Sequence, residues 1–281
     1  MPRKDWKRPA IERVPEGLRR IKLTVSYDGR AYHGWQAQDN AASVQSELER
    51  VLSDVTGSAV AVFGSGRTDA GVHALGQVCH FDTDSEIPAD RFMLILNTKL
   101  DKTIRIMSSS DADPYFHARF STMGREYWYL VKRFSDMLPF DDGRYLFMRG
   151  FPDLSLLDGY ASLLSGTHDF TSFASARDPS ESKCRDIYIS EWDIIRDMYG
   201  HEVLRYRVAG NAFLYHQVRS MAGTMLEAAM KGESIGRFQV RLDSKDRSEA
   251  LRTASSSGLY LARITYDPDE YGWFEERCGN G

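Results

Sequence analysis

Apolar residues in the first half of the chain recur with two different periods. Ile21, Leu23 and Val25 alternate with polar residues, which indicates a strand with one buried face. From Ser43, a candidate N-cap, to Gly57 the apolar residues follow helical spacing instead. The same criteria predict a second helix, opened by Pro88, with its apolar positions from Phe92 to Leu96. They also predict four more strands, at Val60 and Val62, Val78 to Phe81, Ile104 and Ile106, and Tyr127 to Val131.

The second half repeats this order of elements without obvious sequence identity. A helix with apolar positions from Leu154 to Leu164 is expected to end near Gly166. The elements predicted after it are strands at Ile187–Ile195 and Val203–Val208, a helix at Phe213–Met230 and a strand at Leu259–Tyr266. Strand-rich halves with helices on one face predict an α+β fold. We expect a flexible basic extension at residues 1–17, an N-terminal half at 18–150 and a C-terminal half at 151–281.

Composition places the chain among ordinary globular proteins, with 42% hydrophobic and 27% charged residues in 281. No apolar run approaches the roughly 20 residues that a membrane span needs, and no apolar signal core follows the basic N-terminus. Three cysteines without CxxC spacing indicate reduced thiols. We therefore expect a cytoplasmic protein with no membrane partner.

Charge is distributed unevenly along the chain. The net charge is −4, but residues 1–23 hold eight basic and three acidic side chains, a net of +5 that leaves −9 elsewhere. Phosphate contacts are made by local basic patches and not by the average charge. Two interpretations of the N-terminal extension stay open, a basic arm that binds RNA and a solvated tail without a partner.

The stretch from Phe63 to Phe81, FGSGRTDAGVHALGQVCHF, concentrates glycines and charged residues between two apolar segments. Glycine allows a ligand to approach the backbone closely, so the stretch predicts a glycine-rich turn that carries a site. If this backbone is extended, Arg67 and Asp69 leave the same face. A guanidinium beside a carboxylate favours the ionised carboxylate, which suits Asp69 as a nucleophile or base. A structural ion pair that closes a surface loop is the alternative.

Residues 66–74, GRTDAGVHA, resemble the signature of the TruA family of tRNA pseudouridine synthases. The resemblance runs in order from about Ile21 to Tyr266. Its further motifs are YDGRAYHGWQ (27–36), SVQ (43–45), FHARFS (116–121) followed by Tyr127, GTHDFTSF (166–173), CRDI (184–187), GNAFLYHQVRSMAGTML (210–226) and GLYL (258–261).

This resemblance implies the fold, the reaction and the partners. It implies two similar halves whose antiparallel sheets join, with an active cleft between them. It implies isomerisation of uridine to pseudouridine at positions 38 to 40 of tRNA, in the anticodon stem-loop, by a homodimer. Nothing is added to the uridine and nothing is oxidised, so no cofactor is expected.

The resemblance also assigns roles to individual residues. Asp69 is the catalytic aspartate. Arg67 either orients Asp69 or fills the space that an extracted nucleotide leaves in the RNA stem. Tyr127 stacks on the target uracil, and Arg219 is directed at Asp69. Further pocket and RNA contacts are expected from Leu259 and Leu261, which line the uracil pocket, and from Arg119, Arg125, Arg207 and His216, which face the RNA.

Three other functions were weighed against this one. An inactive RNA-binding protein of the same fold is disfavoured by the intact set of Asp69, Arg67 and Tyr127. A glycosidase normally needs two carboxylates across the bond, and this stretch offers only one besides the distal Asp82. A synthase acting on another RNA stays open. A metal site built on His73 and the neighbouring His80 fits no zinc spacing, so no metal is expected.

Overall fold

A computed structural model of the chain describes residues 9–39, 41–267 and 269–270. The chain divides into two compact units, Met1–Thr122 and Met123–Gly281. Each unit combines antiparallel strands with helices. This combination confirms the predicted α+β fold class. The join between the two sheets and a cleft between the halves stay predictions.

The described residues of the first unit form four strands and two α-helices. Its elements are β1 (Arg19–Tyr27), α1 (Val44–Thr56), β2 (Phe63–Gly64), β3 (His73–Thr83), α2 (Arg91–Lys99) and β4 (Ile104–Asp111). β1 pairs with both β3 and β4, and the short β2 pairs with β3; all these pairings are antiparallel. The strand predicted to lead into the glycine-rich turn is present as β2, but it is shorter than expected, because the pairing with β3 begins at Phe63 and excludes Val60 and Val62.

Helix α1 begins and ends where its terminal residues predict. The Ser43 hydroxyl accepts a hydrogen bond from the backbone N–H of Ser46, which satisfies a donor that the first turn leaves free. Gly57 ends the helix with φ 75°, in the left-handed region that glycine adopts at low cost. On the apolar face between these caps, Leu48 and Leu52 are fully buried, and Val55 near the end is half-buried.

In the second unit, the part of the chain that the structure describes forms six strands and three α-helices. Its elements are β5 (Gly124–Arg133), β6 (Leu146–Met148), α3 (Leu154–Leu164), β7 (Gly166–Asp169), β8 (Cys184–Arg196), β9 (Glu202–Gly210), α4 (Gln217–Met230), α5 (Ile235–Asp243) and β10 (Leu259–Thr265). The strand order is β10-β5-β9-β8-β7, all antiparallel, and β6 lies parallel to β5. β5 pairs with β9 and β10, so the compact units divide ahead of β5. The boundary at residue 150, drawn from the order of elements, stays a prediction.

The predicted helix Phe213–Met230 is confirmed except at its start. His216 has φ 64°, in the left-handed region, so the helix begins at Gln217 and residues 215–216 form a turn before it. Helix α5 and the short strands β6 and β7 were not predicted. In α5 the apolar Phe238 and Leu242 are buried, and so is Arg241, which pairs with Glu233. Because a charged residue occupies one of the buried positions, the sequence does not show the apolar periodicity of a helix there.

The N-terminal extension is described only in part. Residues 1–8, which hold four of the eight basic side chains, lie outside the described residues. Further along, Val14 is buried and donates its backbone N–H to the carbonyl of Pro114 at 2.9 Å. In the part of the chain that the structure covers, no helix is long and apolar enough to cross a membrane.

Lys132, on β5, is a fully buried cation that holds two carboxylates. Its Nζ donates to Asp141 Oδ2 at 2.6 Å and to Asp197 Oδ2 at 2.8 Å. Burial alone would raise the pKa of Asp197, but hydrogen bonds from Lys132 and from the backbone of His201 and Tyr199 lower this pKa to about 2. A carboxylate with a lowered folded pKa stabilises the fold above its unfolded pKa of about 4, and this contribution disappears as pH falls through the folded value.

We expect the folded state to lose stability in acid through Asp197. Between about pH 5 and about pH 2, the wild type should lose about 2 kcal/mol more free energy of unfolding than Asp197→Asn, which has no carboxylate to protonate. Urea unfolding followed by circular dichroism across this range measures the difference. Equal losses in the two proteins would show that Asp197 does not contribute to the acid sensitivity.

Candidate active site

The loop at residues 65–72, between β2 and β3, carries Arg67 and Asp69. Thr68 between them is buried, whereas Arg67 is exposed and Asp69 is half-buried. The Thr68 hydroxyl is hydrogen-bonded to the Tyr27 hydroxyl at 2.8 Å, and its carbonyl accepts the backbone N–H of Trp35 at 3.1 Å. The buried Thr68 thus alternates with two more exposed neighbours, which is the pattern expected of extended backbone.

Two glycines of the YDGRAYHGWQ segment allow this loop to lie directly on the segment. Gly34 has φ +93°, and a Cβ added there would lie 2.4 Å from the carbonyl oxygen of Thr68. A Cβ on Gly29 would lie 2.1 Å from the carbonyl oxygen of Val72. Any side chain at either position would push the loop away. In the sequence, two glycines within ten residues signal close backbone packing, but they do not identify the loop as the partner.

The first residues of the loop, Ser65 and Gly66, are hydrogen-bonded to β3 and to Thr122. The Ser65 hydroxyl is hydrogen-bonded to that of Thr122 at 2.6 Å, and the Ser65 N–H donates to the carbonyl of Val78 at 2.8 Å. The buried Gln77 amide donates to the carbonyl of Gly66 at 2.7 Å. These bonds hold the backbone before Arg67 and Asp69, so the carboxylate is presented from a fixed loop.

The surroundings of Arg67 and of the nearby histidines bear on two of the alternatives, a structural ion pair and a metal site. Among the described residues, no ion pair is made by Arg67. The ring nitrogens Nδ1 of His73 and His80 accept backbone N–H groups, from Gly29 and Ala118 respectively, each at 3.2 Å. Within the described ranges, no three His, Cys, Asp or Glu residues are grouped so that they could hold a metal ion.

In the second unit, the sheet gathers Tyr127, Leu259 and Leu261 on one face. Tyr127 is the register partner of Leu261, and Tyr129 is the partner of Leu259. Paired residues on antiparallel strands share a face, and alternate residues along a strand share it too. All four side chains are buried, and the Tyr127 ring meets Phe213 edge-on at 5.2 Å.

Arg219, on α4, lies beside this face. Its Nε donates to the carbonyl of Ala254 at 2.9 Å, and the Ala254 N–H donates back to the carbonyl of Arg219 at 3.0 Å. Burial raises the pKa of Tyr129, and the positive charge of the nearby Arg219 acts in the opposite direction. The structure therefore places Arg219 near Tyr129, the register partner of Leu259, and its direction toward Asp69 stays a prediction.

The residues predicted to face RNA have varied surroundings. Arg207 pairs with Glu126 at 2.7 Å and with Glu191 at 3.1 Å, on the face of β9 opposite to the partner of Tyr127. Two carboxylates are the partners expected of a structural arginine, and RNA binding by Arg207 stays a prediction. The Nη1 of Arg125 donates to the carbonyl of Asn211 at 2.9 Å, and Arg119 is exposed. His216 stacks on Tyr215 with ring centroids 4.0 Å apart.

A family model described as tRNA pseudouridine synthase matches residues 23–121 and 160–267. These ranges include the loop of Asp69, helix α4 and strand β10. The chain belongs to the tRNA pseudouridine synthase family, which is a family of isomerases.

Curated relatives carry the more specific name tRNA pseudouridine synthase A. The one from Geobacillus sp. (strain WCH70) is 42% identical over 252 residues, which cover 89% of this chain and 99% of that protein. The one from Bacillus subtilis (strain 168) is 41% identical over 252 residues, 88% of this chain and 99% of that protein. The one from Brachyspira hyodysenteriae (strain ATCC 49526 / WA1) is 38% identical over 252 residues, which cover 89% of this chain and 99% of that protein.

Proposed function

We propose that this chain converts uridine to pseudouridine at positions 38, 39 and 40 in the anticodon stem-loop of tRNAs. The reaction breaks the N1–C1′ bond of the nucleotide and joins C5 of the detached uracil to C1′. C5 then loses its proton and N1 takes one up, so product and substrate are isomers. The observation that carries the proposal is the half-buried Asp69 on a loop fixed by Tyr27, Trp35 and Gly34. A carboxylate held in place needs no reorganisation when the substrate arrives.

Asp69 supplies the reacting group in this proposal. Its carboxylate either attacks the nucleotide covalently or takes a proton from the ribose, and both roles require the ionised form. Arg219, which the family resemblance directs at Asp69, is proposed to support that charge. Tyr127 stacks on the uracil and its hydroxyl assists removal of the C5 proton. The buried Leu259 and Leu261 beside it supply the apolar wall that keeps the detached ring in place.

Arg67 is proposed to act on the RNA and not on Asp69. Its side chain is exposed, and no carboxylate among the described residues holds it. A base buried in a helical stem must be extracted before a side chain can reach its ribose. In this proposal the long side chain of Arg67, two residues from the catalytic carboxylate, occupies the vacated position and contacts the phosphates around it. The homodimer and the cytoplasmic location are part of the proposal.

Site-resolved mapping of pseudouridine tests the choice of positions. An unmodified tRNA transcript with uridine at 38, 39 and 40 should gain pseudouridine at these positions after incubation with the protein. Transcripts in which one of the three is cytidine should lose only that signal, because the same site acts on each uridine separately. Pseudouridine confined to another arm of the tRNA would overturn the positional proposal and leave the family assignment intact.

A further inference from the structure

An exposed aromatic ring stands immediately before the loop of Asp69. Phe63, on β2, has 48% of its surface exposed, although aromatic side chains of this unit such as Phe81 and Phe92 are fully buried. It is four residues from Arg67 and six from Asp69, so the backbone between Phe63 and Asp69 spans at most about 20 Å. An exposed apolar ring this close to a catalytic loop is a candidate contact for the substrate.

The ring is supported from behind and not left loose. Phe63 stacks on His80 with ring centroids 5.1 Å apart and an interplanar angle of 20°. His80 is buried and meets His117 edge-on at 4.8 Å, and His117 stacks on Phe120 at 4.3 Å. Burial, with the nearby Arg20 charge, lowers the pKa of His80 to about 3, so this backing ring is neutral. The rings of Phe63, His80, His117 and Phe120 together form an uncharged aromatic column. Because these rings are already held in place, the column loses little side-chain entropy when a nucleobase stacks on it.

Cations flank this column on both sides. Lys22 on β1 is the register partner of His80, which is the register partner of Phe63, so the three side chains lie in a row on one face. On the other side, the exposed Arg119 has its guanidinium 5.9 Å from the centre of the Phe120 ring. Aromatic rings interleaved with cations are the combination that binds unpaired nucleotides, through base stacking and phosphate contacts.

The column and the catalytic loop are joined covalently and by hydrogen bonds. Phe63 leads through Gly64 into Ser65, whose hydroxyl is bonded to that of Thr122. Thr122 in turn donates to the carbonyl of Ala118, within the segment that carries His117 and Arg119. A base held on Phe63 would therefore be held in a fixed position relative to the loop of Asp69.

We propose that Phe63 is a base-stacking residue that takes an unpaired nucleotide of the anticodon loop, with Arg119 on the adjoining phosphate. The proposal rests on the proposed function, because it assumes a stem-loop RNA at this site. Sequence-specific RNA recognition is directed mainly at splayed, unstacked loop bases, and such a base lies a few nucleotides from positions 38 to 40. In this role Phe63 fixes the position of the RNA relative to Asp69 and does not take part in bond breaking.

Steady-state kinetics on an anticodon stem-loop RNA tests this assignment. Phe63→Ala is expected to raise KM, and the Kd measured by fluorescence anisotropy, roughly 10-fold or more, with kcat at saturating RNA changed by less than about 2-fold. Phe63→Trp should restore both constants, whereas Phe63→Leu, which keeps the apolar volume, should not. Met107→Ala is the matched control, since Met107 is an exposed apolar residue of β4 in the same unit, and it should behave as wild type.

Photo-crosslinking separates this proposal from its competitors. An RNA with photoreactive pyrimidines in the loop should crosslink to the peptide that contains Phe63. A Phe63→Ala protein with unchanged Kd but a lower mass by analytical ultracentrifugation would show that Phe63 joins two copies of this chain, and would overturn the proposal. Unchanged Kd, KM and mass would overturn it as well. Failure of the wild type to form any pseudouridine while these binding differences persist would count against the proposed function alone.

Discussion

Replacing Asp69 by asparagine is expected to lower pseudouridine formation on tRNA by about 10³-fold or more, with tRNA binding unchanged. Asparagine has nearly the shape of aspartate, so the loop bonded through Thr68 should keep its conformation. It cannot act as a carboxylate nucleophile or accept a proton as a base, and both proposed mechanisms are therefore blocked. Pseudouridine formation in the RNA under single-turnover conditions measures the rate, and fluorescence anisotropy measures the affinity.

Two variants control this comparison. Asp84→Asn removes one negative charge from an exposed position shortly after β3 and should leave rate and affinity as in the wild type. Asp69→Glu keeps the carboxylate but moves it by one methylene group, and it should recover little of the rate, because positioning within about 1 Å governs such steps. A rate for Asp69→Asn within about 10-fold of the wild type would remove Asp69 from the chemistry.

Gly34→Ala is expected to destabilise the protein by about 3 kcal/mol and to lower the rate by at least about 100-fold. The methyl group would lie 2.4 Å from the Thr68 carbonyl oxygen, so the loop that carries Asp69 must move. The left-handed backbone at φ +93° adds strain for any residue with a Cβ. Urea unfolding gives the stability, and the same single-turnover assay gives the rate.

Gly57→Ala separates the strain from the steric contact. Gly57 also has positive φ, at +75°, but a Cβ there meets no atom within 4 Å. We expect this variant to lose about 1 kcal/mol of stability through strain alone and to keep full activity. If Gly34→Ala were no worse than Gly57→Ala in both stability and rate, the close packing between Gly34 and the loop would not position Asp69.

The sequence alone predicted the elements with a strong local pattern. Strand β1 and helix α1 follow from the alternation that begins at Ile21 and from the caps Ser43 and Gly57, which act within a few residues. Helix α5 was missed because Arg241 occupies a buried position and is neutralised by Glu233, a partner that local periodicity does not reveal. The start of α4 was misplaced because the turn at His216 depends on backbone geometry that its residue type does not specify.

The candidate site shows a similar division. The residues of the Asp69 loop are adjacent in sequence, so their pattern could be recognised directly. The support of that loop by Tyr27, Gly34 and Trp35 depends on distant hydrogen bonds and on a contact with an absent Cβ, and no local signal identifies those partners. The pairing of Arg207 with Glu126 is likewise a property of strand register. Register follows from the sheet as a whole and not from one strand.

The most direct test of the central claim, that this chain isomerises uridine in tRNA, is a product balance on one transcript. The wild-type protein, with no cofactor added, is incubated with tRNA labelled in its uracil rings, and both pseudouridine and free uracil are quantified. We predict that all lost uridine is recovered as pseudouridine within the RNA and that no free uracil appears. Release of uracil with abasic RNA would show a glycosidase, and unchanged uridine despite tight tRNA binding would show a binding protein.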